Sequence, residues 1–318
     1  MDETSKKSPS KKKKKKGKAP VYLYPLIAGL LILLIGVGVY FYLQWQSGQE
    51  EDLSSKPIRI LMLGNDYMVT NDIPDMLRQL FKDDTGTRKL EIVSIAIPDS
   101  KYDLGMHLAS DGFKKLSGKE NEWDFVILQD GPEQILEHPY VVLTNIRKIK
   151  EAVESPRTRF VLLMPWAKPG EKTRQAVLSA VSRRIARNLS LRVAPAGDIF
   201  FELNAAYPDL LLYLDDNRLA NINGAWVATA ALYNVLRGEQ PGPEKLAVTY
   251  RYGTESRSAI TIPDEDLPDI CRLIGAQVEL KNRGYRLGLR PARRESVGIM
   301  SKVKMQADSA DKNSKGSD

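Results

Sequence analysis

Residues 58–81, IRILMLGNDYMVTNDIPDMLRQLF, constrain the fold of this chain more than any other stretch. Ile58 to Leu63 is a short, nearly continuous apolar run that stops at Gly64. A run of that length, rich in Ile and Leu, suits a strand buried on both faces of a parallel sheet. Ile73, Met76, Leu77, Leu80 and Phe81 then recur at spacings of three and four, which puts them on one helix face. Thr70 or Asn71 is the expected helix cap, and Pro74 fits the first turn. The segment between, Asn65 to Thr70, is expected as a loop at the C-terminal edge of a first strand. That edge is where open α/β sheets bind ligands.

The chain downstream repeats this alternation. Strands are expected at Lys89 to Ile97, Trp123 to Gln129, Arg159 to Met164 and Leu191 to Pro195. Helices are expected at Leu104 to Leu116, Pro139 to Val153, Gly170 to Leu189 and Ile222 to Leu236. The Gly170 to Leu189 helix should bury Ala176, Val177, Ala180, Val181 and Ile185. Five strands alternating with helices imply an α/β fold, a parallel sheet covered on both faces. Beyond Pro241 two further strands, Leu246 to Tyr252 and Ser258 to Ile262, precede a helix over Asp264 to Val278.

The other end of the chain carries a membrane signal. Ala19 to Gln49 holds no charged residue, and its apolar centre, Val21 to Leu43, is long enough as a helix to cross a bilayer. Tyr22, Tyr24, Tyr40, Tyr42 and Trp45 flank it as an interfacial belt would. A cleaved signal peptide is the weaker reading, because the apolar core is long and no small-x-small site follows. The lysines before it should stay cytosolic, which leaves the following domain periplasmic or extracellular. The first twenty residues hold nine Lys against Asp2 and Glu3 and account for the whole net charge of +7. The remainder is balanced, so no nucleic-acid-binding face is expected. The single cysteine, Cys271, excludes an internal disulfide. No nucleotide-binding glycine loop, HExxH pair or GxSxG elbow occurs, and neither a cofactor nor a metal site is expected.

The expected organisation is a basic cytosolic tail (1–20), a transmembrane signal-anchor (21–45) and a tether (46–57). A main domain (58–240), a C-terminal extension packed on it (241–289) and a disordered tail (290–318) complete the chain.

Four stretches of the main domain, in order, resemble the blocks of SGNH (GDSL-type) hydrolases. LMLGNDYMVTNDIPDMLRQL resembles the first block of a bacterial branch, and WDFVILQDGPEQ the third. FVLLMPWAKPG resembles that branch's strand ending in a Trp segment. APAGDIFFELNAAYPDLLLYLDDNRLANINGAWVATAALYNVLRGEQP resembles the last block. The resemblance implies a flavodoxin-like three-layer sandwich. It also implies a Ser nucleophile in the first block and an Asp-x-x-His pair in the last. This chain has Asp66 where the Ser would fall and Leu219 where the His would fall, while the orienting Asp is kept as Asp216. Gly64, Asn65, Gly105 and Gln129 match the ligand-binding and oxyanion positions.

Two histidines exist, His107 and His138, and either would have to approach the same sheet edge to replace the lost base. Three roles follow. The first is a catalytically degenerate domain acting in binding or assembly, with an acylated envelope glycan or an envelope protein as partner. The second is an ester hydrolase with altered chemistry centred on Asp66, acting as a carboxylate nucleophile or paired with Asp216 as acid and base. The third is a structural membrane-assembly protein. Trp166 and Trp226 suit core packing better than stacking on a sugar ring.

Overall fold

The computed structural model describes residues 30–41, 56–82, 89–118, 121–241, 249–252 and 256–284. The chain divides into two compact units, Met1–Asp52 and Leu53–Asp318. In the first, residues 30–41 form helix α1. Its apolar side chains, from Leu30 to Phe41, are exposed. Among the described residues no helix is long and apolar enough to cross a membrane. The rest of the Val21 to Leu43 stretch, both tails and most of the tether lie outside the described residues.

The second unit is built on five parallel strands: β1 (Ile58–Gly64), β2 (Leu90–Ala96), β3 (Phe125–Leu128), β4 (Arg159–Leu163) and β5 (Arg192–Ala194). Their order is β2-β1-β3-β4-β5, the flavodoxin-like arrangement, whose strand order reverses between β1 and β3. Alternate residues of β1 feed two cores, because successive side chains leave opposite faces of a strand. Ile58, Ile60 and Met62 join one cluster, and Leu61 points into the other.

The first cluster is covered by α3 (Ile73–Phe81), α9 (Ala196–Ala206), α10 (Ile222–Arg237) and α11 (Leu267–Lys281). The second is covered by α4 (Leu104–Ala109), α5 (Asp111–Leu116), α6 (Pro132–Glu137), α7 (Pro139–Val153) and α8 (Lys172–Leu189). The result is a three-layer α/β sandwich. Ile73, Met76, Leu77, Leu80 and Phe81 are all buried, as their spacing requires. Each such side chain is worth about 1.5–3 kcal/mol. Trp166 and Trp226 are fully buried core residues.

Several local expectations need correction. The segment after β1 is not an open loop: Asp66–Val69 coils into a single helical turn, α2, capped by Asn65. The cap of α3 is Asp72, held at φ 47°, whose side chain accepts from the Asp75 N–H. Asn71 instead donates its side-chain N–H to the Ala220 carbonyl at 2.6 Å. The helix expected over Leu104 to Leu116 breaks at Ser110, which ends α4 and caps α5.

The buried face of α8 is rotated from the expected one. Val177 is exposed, and Gln175, Leu178, Ser179, Ser182 and Ile185 face inward. Two of the polar members have partners there: Gln175 and Ser179 donate to the Asp198 carboxylate at 3.2 and 2.8 Å. Lys281 of α11 reaches the same carboxylate at 2.6 Å. The Asn282 side chain brackets Val193 of β5, accepting from its N–H at 2.8 Å and donating to its carbonyl at 2.7 Å. An amide here does the work of a neighbouring strand at the sheet edge. Beyond Pro241, β6 (Thr249–Tyr252) and β7 (Ser256–Ala259) form a separate antiparallel pair.

Candidate functional site

At the C-terminal ends of β1 and β3, a chain of local constraints builds the site. Gly64 ends β1, and a Cβ there would lie 2.7 Å from the Gln129 Oε1 and 2.9 Å from Met68. Glycine therefore lets the Gln129 side chain close over the strand end and accept the Asn65 backbone N–H at 2.9 Å. Because that partner is a donor, the Gln129 oxygen is fixed in place and its amide nitrogen faces the other way. The Asn65 side chain caps α2 through the Tyr67 N–H and donates to the Tyr102 carbonyl. Asp66 is thereby set in the first turn of α2, where the exposed ends of the helix N–H groups favour a carboxylate.

The opposite wall is the segment before α10. Tyr213 and Ala220 form an isolated antiparallel bridge, and Asn217 adopts φ 51° at the tip between them. The Asp216 Oδ1 accepts the backbone N–H groups of Arg218 and Leu219 at 2.8 and 2.9 Å. This turn presents Arg218 to the site. Its guanidinium donates to the Asp66 Oδ2 at 2.6 Å, lies 3.7 Å from the Asp216 Oδ2, and sits 5.7 Å from the Tyr67 ring centroid. The Trp166 indole N–H holds the Arg218 carbonyl at 2.9 Å. Arg218 keeps its proton more firmly than usual through Asp66, although burial opposes this.

Asp66 and Asp216 are therefore held around a cation rather than against each other. Asp66 is 6% exposed. A carboxylate has no proton to surrender as a serine does, and a guanidinium does not act as a base at neutral pH. Leu219 is half-buried and packs against the first core cluster.

The two histidines divide. His138 is exposed at the junction of α6 and α7. His107 is buried, and its Nε2 lies 2.9 Å from the Gly64 carbonyl. A carbonyl only accepts, so Nε2 carries the proton. Burial holds the ring pKa below its ordinary value and the ring neutral. His107 thus pins the strand end beneath the turn, and its Nδ1 is left as an acceptor. Gly105 stands in the first turn of α4, where a Cβ would meet the Asn145 side chain of α7 at 2.9 Å. It permits close helix packing and lines neither of the grooves described next.

Two grooves open at this edge. One, of about 360 Å³, is lined by Ser100, Lys101, Asp103, Asp130, Gly131, Glu133, Gln134 and Arg218. The other, of about 200 Å³, runs over Tyr67 and Trp166 toward Lys168, Glu171 and Arg174. Glu133 and Arg218 border both. Several buried side-chain atoms at this edge have no hydrogen-bond partner among the described residues: Asp66 Oδ1, His107 Nδ1, Gln129 Nε2 and Asp130 Oδ2. All lie within the turn after β1, the turn after β3 or the helix beneath. Buried polar atoms are rarely left unpaired, and each calls for a partner such as a water, an ion or a ligand. Asp130 is the most perturbed, its carboxyl pushed up to about 7 by burial and by the nearby Asp103 charge.

Arg218 and Asp130 are the residues that motif reading missed. Arg218 adjoins the Leu219 position directly, and the run LDDNRLAN offered it only as a neighbour. Asp130 adjoins Gln129, and the signal was a carboxylate following an apolar strand.

No protein-family model and no curated protein matches the chain. Solved structures do. A protein from Slackia heliotrinireducens with a provisional SGNH-hydrolase name is 20% identical, covers 56% of this chain and 98% of its own, and superposes with a TM-score of 0.47. A lipolytic G-D-S-L family member from Veillonella parvula DSM 2008 is 14% identical over 56% of this chain and 97% of its own, at 0.43. A DUF4886 family protein from Bacteroides uniformis ATCC 8492 is 13% identical over 70% of this chain and 95% of its own, at 0.51. Of these three the last carries an argument, and what it establishes is the shared fold.

Proposed function

We propose that this chain is a membrane-anchored, extracytoplasmic SGNH-hydrolase-like protein that binds at its site edge and does not hydrolyse esters there. The observation that carries this reading is the 2.6 Å ion pair between Asp66 and Arg218. It neutralises with a cation the carboxylate that stands where the resemblance would put the nucleophile. The four block-like stretches in order, with Asp216 retained, support the superfamily and the identification of Asp66 and Leu219 as replaced catalytic positions. The grooves beside Arg218, together with the unpartnered buried atoms, support binding over a purely structural role. The uncharged Ala19 to Gln49 stretch and the exposed apolar side chains of α1 support a single-pass anchor with a cytosolic N-terminus. The ligand class is an acylated envelope glycan, by analogy with the superfamily.

The test is retention without turnover. Full-length protein in detergent micelles is incubated with an O-acetylated oligosaccharide while binding and acetate release are followed together. Saturable binding with acetate release at the buffer rate is expected. Release that saturates with substrate and disappears in Asp66→Ala overturns the reading.

A further inference from the structure

The larger groove has a distinctive charge pattern. Asp130 lines it and is 1% exposed; its Oδ1 accepts the Gly131 N–H at 3.1 Å, and the Leu104 backbone N–H also acts on the carboxylate. Its Oδ2 has no partner among the described residues. Apart from Lys101, the neighbouring charges from the surrounding elements are otherwise engaged. Asp103, before α4, accepts from the Met106 N–H and from the Gln134 amide. Glu133 of α6 faces Arg174 of α8 at 3.3 Å, and Arg174 also meets Glu171. Arg218 is held by Asp66 and Asp216. Lys101 is exposed on the rim, where solvent and salt screen it. His107 beneath is neutral. The groove lining therefore presents a carboxylate oxygen that no cation among the described residues engages.

The surrounding unpaired atoms lean the same way. Asp66 Oδ1 and His107 Nδ1 are acceptors, and the Gln129 amide nitrogen is the one donor among them. Asp66, His107 and Gln129 stand near the groove and not in its lining, where the unpaired Asp130 oxygen calls for a ligand that donates. A hydroxyl brings one O–H donor, acceptor lone pairs and no charge, whereas an ammonium brings three N–H donors and a positive charge. A metal ion is less suited: among the described residues no three His, Cys, Asp or Glu side chains are grouped to hold one.

We propose that this groove binds a primary ammonium group, with Asp130 as its counter-ion, so that the ligand is an amine-bearing glycan. The saccharide half of this statement rests on the glycan-binding reading above; the ammonium half rests on the groove. Burial holds Asp130 close to half-protonated at neutral pH, and an ammonium favours its ionised form. Binding then expels a proton, and affinity rises with pH through about 7.

The experiment compares 2-aminoethyl β-glucoside with 2-hydroxyethyl β-glucoside, which differ in one group, and with ethanolamine. Titration calorimetry uses the full-length protein in micelles at pH 6, 7 and 8. The aminoethyl glucoside is expected to bind at least tenfold more tightly than its hydroxyl twin. Its affinity should increase about tenfold from pH 6 to pH 8, as an acid of pKa near 7 ionises. Asp130→Asn, checked for folding by tryptophan fluorescence, should erase both the preference and the pH dependence, while Arg272→Gln on the exposed side of α11 should leave them. Equal binding of the two glucosides overturns the ammonium inference and leaves glycan binding standing. Ethanolamine binding as tightly as the aminoethyl glucoside upholds the ammonium and removes the saccharide. Binding of none of the three, or a preference that survives Asp130→Asn, overturns the proposal.

Discussion

Replacing Arg218 by Met tests whether the Asp66 pair is structural in the strong sense. With the 2.6 Å separation and an effective dielectric of about 20, the gross attraction is about 6 kcal/mol. Much of it is offset, because the Arg218 side chain is 33% exposed and stays partly hydrated. Removing it nevertheless leaves Asp66 buried with both oxygens unpaired, since Oδ1 already has no partner among the described residues. Breaking a buried pair from one side costs about 3–5 kcal/mol, so the partly exposed case should cost about 2–4 kcal/mol. Asp66→Asn should cost less, about 1–2 kcal/mol, because the amide oxygen still accepts and Arg218 keeps Asp216. The double variant should be less destabilised than the sum, with a coupling of about 1–3 kcal/mol. Urea unfolding followed by tryptophan fluorescence reads this, since Trp166 holds the Arg218 carbonyl. Repeating it in 1 M salt should weaken the coupling without removing it, because a partly buried pair is only partly screened. Additive single effects, or a coupling abolished by salt, would refute the reasoning.

Other perturbations follow from the same geometry. Asp130 has a carboxyl raised from 3.8 to about 7, so the folded state binds more protons than the unfolded one between those values. Its contribution to stability is present in acid and is lost as pH rises through about 7. Asp130→Asn should therefore flatten the pH profile and stabilise the protein at pH 8 by up to roughly 4 kcal/mol, read by thermal melts across pH. Gly224→Ala should destabilise by about 3 kcal/mol or more, because a Cβ would lie 2.1 Å from the Leu212 carbonyl oxygen; equilibrium unfolding checks it. Asn282→Ala strips both hydrogen bonds from the Val193 peptide at the sheet edge and should cost about 2–3 kcal/mol. Hydrogen exchange at the Val193 amide should speed up in that variant.

The parts of this fold that were legible in the sequence are those where one physical effect dominates. Ile58–Gly64 is buried on both faces, so its apolar run is unbroken; α3 is a surface helix, so its period is clean. Legibility failed where polar groups are buried in pairs. On α8 the inward face carries Gln175, Ser179 and Ser182, and hydrophobic spacing pointed to Val177 instead. What makes Gln175 and Ser179 welcome inside is Asp198, a residue distant in sequence on another helix. The break at Ser110 was hidden because its hydroxyl caps α5 while the apolar residues on either side keep a helical rhythm.

The site divides in the same manner. Residues adjoining a strand end, such as Gly64, Asn65 and Gln129, could be placed by order along the chain, and they stand hydrogen-bonded together. Arg218 could not, because its pairing with Asp66 spans 152 residues. The turn that aims it depends on the Asp216 carboxylate capping two backbone N–H groups. Asp216 would orient a histidine at the next-but-two position, and here it orients the chain itself.

The proposal at stake is that this edge does not hydrolyse esters with Asp66 and Leu219 in place. The most direct measurement compares p-nitrophenyl acetate hydrolysis by the full-length protein with hydrolysis by the Asp66→Ser/Leu219→His double variant. The account predicts the unmodified protein at the buffer rate and the double variant measurably above it. Turnover by the unmodified protein that Asp66→Ala abolishes would contradict it.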